Sequence, residues 1–379
     1  MSTNESRIPG VSLTHIVPTP EPELLTGVPV FLGLAKVKAG ENRPLKLTLG
    51  TEFDQYFSSL PQSKGYLGDA VKGFFEQGGN LCYVVAIADN TLEALEQGLE
   101  ASEILENIDL VCVPDIMLIK QLEEVVQMQQ TVLEHCNRMG DRFAILDGLN
   151  DIQKLDEQKQ KLTSNNGALY APWLKIENLT NPSNPKSIPP CGYIAGIYAT
   201  TDSTFGVHSA PANIELEGVL DLSFSLTPTE QAQLNPQIGA GVNCIRSIRG
   251  RGIRVWGVRT LSSLPEWQYV NVRRLFLTFG RWANQNLADT VFEPNDFRLW
   301  MRLERELSVY CESLWQQGAI QGAIAQEAFY VKCDAETNPP ENLEMGKVIA
   351  EVGLAPTIPG EFIQLLLIQS SSGITITNG

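Results

Sequence analysis

Between Gly27 and Asp147, short runs of unbroken apolar residues alternate with longer stretches of helical period. Pro29-Val30-Phe31-Leu32-Gly33-Leu34, Leu81 to Ala88, Asp109-Leu110-Val111-Cys112-Val113-Pro114-Asp115 and Arg142 to Asp147 are apolar at nearly every position. A strand with one wet face would alternate, so these runs belong to a mainly parallel sheet covered on both sides. The helices between them are Leu67 to Gln77, stopped by Gly78-Gly79, then Thr91 to Glu106 with Leu92, Leu95 and Leu99 as an inner stripe, then a long one ending near Met139. This pattern predicts an α/β domain.

The pattern continues less regularly and then changes. Asp151 to Lys161 reads as a helix, Ala168 to Ile176 as a strand, and Pro189-Pro190 opens a helix through Tyr198. From about Gly250 a strand over Ile253 to Arg259 is followed by two helices, Trp267 to Leu287 and Pro294 to Gln317. The second carries Phe297, Trp300, Leu303, Leu307, Tyr310 and Leu314 on one face. Three strands follow: Glu327 to Cys333, Lys347 to Leu354 and Glu361 to Gln369. Two helices and then consecutive strands predict a separate α+β domain with an antiparallel sheet.

Both ends carry a short β-prone stretch on a polar tether. Val11, Leu13, His15 and Ile16 lie in a proline-rich start, and Ile374 and Ile376 follow Ser370-Ser371-Ser372-Gly373. Such ends can fray, or they can add a strand to the sheet of another chain. The expected organisation is an arm over 1–26, an α/β domain over 27–250, an α+β domain over 251–369 and an arm over 370–379.

The net charge of −16 excludes a generic binder of nucleic acid, which needs a basic footprint, and argues against docking on an anionic membrane. No apolar run approaches the ~20 residues that span a bilayer, and MSTNESRIPG lacks a signal-peptide pattern, so synthesis and assembly in the cytoplasm are expected. The seven cysteines have no C-x-x-C spacing and read as buried free thiols. No metal or cofactor motif is present; Gly239-Ala240-Gly241 is a turn rather than a dinucleotide fingerprint.

Two chemistries deserve separate weighing. Ser203, His208 and Ser209 share a polar loop from which a hydrolase could be built, although ordinary turns and caps have the same composition. The charges, by contrast, are segregated. Arg246, Arg249, Arg251, Arg254, Arg259, Arg273, Arg274 and Arg281 are opposed only by Glu266. Eight acids and no Lys or Arg lie between Asp89 and Asp115, with Glu93, Glu96, Glu100 and Glu103 on one helical side. Asp334, Glu336, Glu341 and Glu344 form a second acidic stretch. Solvated faces would explain these blocks. So would complementary patches on identical subunits, in which case reversing Arg273 and Arg274 to Glu should block assembly without unfolding.

A series of motifs, in order along nearly the whole chain, resembles the sheath proteins of contractile tails. They include Ile8-Pro9-Gly10-Val11, Gly73-Phe74-Phe75-Glu76-Gln77-Gly78-Gly79, Ala168-Leu169-Tyr170-Ala171-Pro172-Trp173, Gly206-Val207-His208-Ser209-Ala210-Pro211-Ala212-Asn213, Gly252-Ile253-Arg254-Val255-Trp256-Gly257 and Gly353-Leu354-Ala355-Pro356. The resemblance implies a non-enzymatic subunit that polymerises helically with other copies of itself around an inner tube, capped by baseplate and terminal proteins. It implies arms that complete a sheet in a neighbouring copy, a C-terminal domain facing the tube and an α/β domain outside. It also turns the His208 loop into a structural motif. A hydrolase, or a scaffold module of another assembly, are the alternatives.

Overall fold

The computed structural model of the 379-residue chain describes residues 24–37, 43–58, 65–178, 181, 183–236, 239–357, 363–370 and 373–378, the last two stretches by their backbone alone. Val11, Leu13, His15 and Ile16 lie outside the described residues.

An eight-stranded sheet forms the first layer system. Its strands are β1 (Pro29–Leu34), β2 (Leu45–Leu47), β3 (Cys82–Ile87), β4 (Leu110–Cys112), β5 (Phe143–Asp147), β6 (Gly167–Ala171), β7 (Val242–Ile248) and β8 (Gly252–Trp256), in the spatial order β8-β7-β6-β5-β4-β1-β3-β2. Only the two edge strands, β2 and β8, run antiparallel to their neighbours. The central strands are buried on both faces, as their unbroken apolar composition requires: Phe31 and Val84 face one core, Val30, Leu32 and Val85 the other.

Helices α1 (Leu67–Glu76) and α4 (Cys191–Phe205) cover the first face, α2 (Leu92–Ala101) and α3 (Leu122–Met139) the second. Leu95 and Leu99 are fully inside and Leu92 partly so. α1 and α4 pack backbone against backbone: a Cβ at Gly192 would collide with the main chain of Ala70. The strand expected over Ala168 to Ile176 is two strands. β6 ends at Ala171, and Leu174–Ile176 belongs to a separate three-stranded sheet with Lys186–Ile188 and Val219–Leu222.

The C-terminal part has its own core around α5 (Val270–Asn286), α6 (Phe297–Gln316) and a four-stranded antiparallel sheet. That sheet is β9 (Phe329–Lys332), β10 (Val348–Leu354), β11 (Ile363–Ser370) and β12 (Gly373–Asn378), in sequence order. Two expectations change here. The strand read over Ile253 to Arg259 as the opening of this part is β8, the edge of the large sheet, because it pairs with β7 from Cys244↔Trp256 to Ile248↔Gly252. Phe297, placed on the inner face of its helix, is 60% exposed; the buried stripe is Leu299, Leu303, Leu307, Cys311 and Leu314.

Two buried acids hold the carboxyl ends of the parallel strands. The chain adds β3 on one side of β1 and then crosses to β4 on the other, and at such a switch point open α/β sheets leave a crevice for ligands. Here Asp115 fills it, accepting hydrogen bonds from the backbone amides of Leu34 and Tyr66. At the end of β5, Asp147 accepts the amide of Cys191 at 2.7 Å, at the start of α4. Burial pushes the Asp115 carboxyl up to about 6, against the pull of the amides, and that of Asp147 up to about 7.

Both folded values exceed the ~3.9 of an unfolded Asp, so the native state binds more protons between that value and 6 or 7 and loses stability as pH rises through the window. Asp147→Asn keeps an acceptor oxygen for Cys191 and removes the buried charge. Its melting temperature is therefore expected to gain on that of the wild type from about pH 5 to 7 and to level off above that, as followed by circular dichroism.

Candidate functional site: the domain junction and the outer faces

Arg274 projects from α5 into the α/β part of the chain. Its guanidinium donates to Asp202 on α4 through Nη1 (2.8 Å) and Nη2 (2.6 Å), and to Asp109, just before β4, through Nη2 (2.8 Å). All three side chains are buried. The guanidinium also lies 4.8 Å from the centre of the Tyr198 ring, whose hydroxyl shares a 2.6 Å hydrogen bond with Tyr170. Burial alone would lower the arginine pKa; Asp202 and Asp109 overcome that and hold it protonated.

Asp109 has a second task. Its two oxygens accept the backbone amides of Gly27 (3.0 Å) and Val28 (2.7 Å), so it fixes the backbone just ahead of β1. The same helix α5 is tied down at Asn271, whose side chain donates to the His208 carbonyl at 2.9 Å, and at Arg273, whose Nε donates to Asn166 at 2.6 Å while the guanidinium sits 4.6 Å over Trp267. A cavity of about 650 Å³ opens beside this junction, lined by Leu24, Val28, Val207, Leu275, Trp282 and Tyr310 among others.

These positions correct the picture of one basic surface block. Arg273, Arg274 and Arg281 are buried within the chain and cannot act as surface charges. Reversing Arg274 therefore reports on folding rather than on assembly. Arg281 keeps its Nε and one terminal nitrogen without a hydrogen bond among the described residues. Arg259 lies 5.3 Å from the Tyr269 ring, and Arg254 is paired with Glu215 at 3.1 Å. Arg249 and Arg251 are exposed and Arg246 half-buried, all three around the β7–β8 turn.

On the acidic side, Glu93, Glu96 and Glu100 are exposed on α2, whereas Glu103 is tied to Arg138. Asp334, Glu336, Glu341 and Glu344 are exposed; Asp334 accepts the amides of Glu336 and Thr337, and Glu336 is paired with Lys332. Ile374 and Ile376 lie in β12, which pairs antiparallel with β11 of the same chain, Ile376 opposite Leu367.

The polar loop of Ser203, His208 and Ser209 is mostly the last turn of α4. Ser203 donates to the Thr200 carbonyl at 3.1 Å and Ser209 to the Phe205 carbonyl at 3.2 Å. Gly206 stops the helix with φ +89°, a conformation that favours glycine. The segment thus ends a helix and anchors α5 through the His208 carbonyl.

Sequence reasoning missed one feature. Arg302 on α6 gathers three carboxylates, Asp289 (2.7 Å), Glu306 (2.8 Å) and Glu293. The loop it clamps holds Phe292 at φ +74° and 89% exposed; Phe297 and Met301 on α6 are exposed as well. A bulky residue in that region is strained, and strain of this kind persists where its surroundings over-determine it.

Residues 89–261 match the family model of the phage tail sheath protein central domain, and residues 262–368 that of the phage tail sheath C-terminal domain. This chain belongs to the tail sheath family. A putative prophage major tail sheath protein of Pseudomonas aeruginosa (strain UCBPP-PA14) is 28% identical over 252 residues, which span 62% of this chain and 60% of that protein. Among solved structures, the sheath complex of the extracellular contractile injection system PVC in its contracted state contains a chain 29% identical, with a TM-score of 0.75, covering 95% of this chain and 97% of that one. The anti-feeding prophage contributes two more: a chain of its baseplate (28%, TM-score 0.77, coverage 94% and 98%) and one of its helical sheath in the contracted state (29%, TM-score 0.74, coverage 94% and 98%). The chain is thus homologous to contractile sheath proteins of phage tails and extracellular contractile injection systems.

Two outcomes test the junction and the clamp. Arg274→Met leaves Asp109 and Asp202 buried without their cation and is expected to cost about 3–5 kcal/mol in urea denaturation, with partial recovery when both acids are also changed to Asn. Phe292→Gly removes the steric penalty at positive φ and is expected to raise stability by up to about 1 kcal/mol in the same assay.

Proposed function

We propose that this chain is a non-enzymatic subunit of a contractile sheath, which polymerises helically around an inner tube and shortens to drive that tube through a target envelope. One observation carries the proposal: the likeness to sheath chains solved in contracted assemblies covers nearly the full length of both partners. The baseplate and a terminal cap are the further partners, and assembly takes place in the cytoplasm before release or anchoring of the particle. The α/β body faces outward and the C-terminal part faces the tube.

The terminal segments serve as the links between copies. Asp109 grips Gly27 and Val28, so a pull on the N-terminal segment is delivered to the junction of the two cores rather than to a loose loop. At the other end, β12 pairs with β11 through backbone hydrogen bonds that any strand can make, which suits exchange of a strand between copies as well as closure on the chain's own sheet. A tether of this kind keeps neighbours joined while their bodies rotate.

The test is a truncation. A chain lacking Met1 to Pro20 is expected to remain folded and soluble, with an unchanged melting temperature, and to form no tubes or filaments in negative-stain microscopy under conditions where the full chain does. Normal polymers from the truncated chain would remove the linking role.

A further inference from the structure

The described surface carries two charge patches whose members form no ion pair among the described residues. Among the described residues, Arg246, Arg249 and Arg251 around the β7–β8 turn take part in no ion pair, in contrast to Arg254 beside them, which is held by Glu215. Glu93, Glu96 and Glu100 on α2 likewise form no ion pair among the described residues, in contrast to Glu103 in the turn after the helix, which is held by Arg138. Each patch sits on a firm base. β7 and β8 are paired over five residues of each strand. α2 lies so close to the sheet that a Cβ at Gly98 would meet Ile87 and Leu32.

Their placement relates them. β8 is one edge of the sheet, and α2 packs on β3 and β1 near the other edge. Six strand spacings separate β8 from β3, roughly 29 Å at ~4.8 Å each. The β7–β8 turn follows the carboxyl end of β7, which runs parallel to β6. α2 begins just beyond the carboxyl end of β3, so both patches lie toward the carboxyl ends of the parallel strands, the arginine turn projecting further because β7 runs about four residues past the level at which β3 stops. A chain with opposite charges on opposite flanks can join head to tail, and a heterologous contact of that sort propagates into rings or helices.

We propose that the arginine-tipped β7–β8 turn of one copy docks on the outward face of α2 of the next copy. The inference rests on the sheath assignment and adds to it the lateral contact between α/β bodies, with a second copy of this chain as the occupant of both patches. The pairing is directional because each guanidinium can fork onto a carboxylate, and it is salt-sensitive because both patches are wet. Its contribution falls on register and association rate more than on bulk affinity.

The experiment uses the full chain in two charge-reversed forms. One carries Arg246→Glu, Arg249→Glu and Arg251→Glu; the other carries Glu93→Arg, Glu96→Arg and Glu100→Arg. All six positions lie outside the buried cores or at their rim, and circular dichroism melts check that each form is folded. Each form alone is expected to raise the critical concentration for polymer formation about tenfold or more, measured by sedimentation. An equimolar mixture of the two is expected to assemble again, since each form then meets its complement, and so is a single chain carrying all six changes. Wild-type assembly should also weaken as salt is raised from 50 to about 500 mM.

Wild-type polymers combined with unaffected reversed forms, or with reversed forms that neither mix nor double reversal rescues, would overturn the pairing and leave the sheath assignment standing. A wild-type chain that stays monomeric at every concentration would overturn both.

Discussion

One guanidinium makes the molecule a single body. The α/β layers and the C-terminal helices each have an apolar core, and Val270 and Leu277 of α5 pack into that of the α/β layers. Arg274 adds direction to that packing, because a fork-shaped cation shared between Asp202 and Asp109 has one low-energy orientation and loses heavily if any of the three is withdrawn. Asp109 passes the constraint on to the backbone at Gly27 and Val28. The seam between the two parts and the backbone at Gly27 and Val28 thereby share one buried anchor, away from salt.

The layered part of the fold was readable because burial on both faces leaves a mark that residue-by-residue inspection detects. β1, β3, β4 and β5 were found from their unbroken apolar runs, and α2 from its leucine spacing. The limits of legibility have equally specific causes. β8 carries Arg254 and ends at the half-exposed Trp256, so it resembles the strand of a new domain more than an edge strand; only its register with β7 reveals its membership. Phe297 follows the helical period of its neighbours in sequence, yet it falls in the first turn of α6, ahead of the core.

The charges were the least legible. Eight arginines in one stretch look alike on paper, but the partner of Arg274 lies 165 residues away at Asp109 and 72 away at Asp202. The structure sorts the same residue type into three situations. Arg273, Arg274 and Arg281 are buried, Arg254 and Arg259 are engaged by neighbours nearer the surface, and Arg246, Arg249 and Arg251 form no ion pair among the described residues. The last group clusters around the β7–β8 turn at one edge of the sheet. The strained Phe292 had no signature at all, since its exposure depends on three carboxylates converging on Arg302.

The seven cysteines have a bearing on any lattice that must rearrange. All are free and buried, and for Cys82, Cys136, Cys191, Cys244, Cys311 and Cys333 burial pushes the thiol above its ordinary range. The thiolate is the reactive form, so these groups are shielded both by access and by protonation. Subunits with such surfaces can slide past one another, or stand for long periods in an oxidising medium, without the stray covalent cross-links that would freeze them in place.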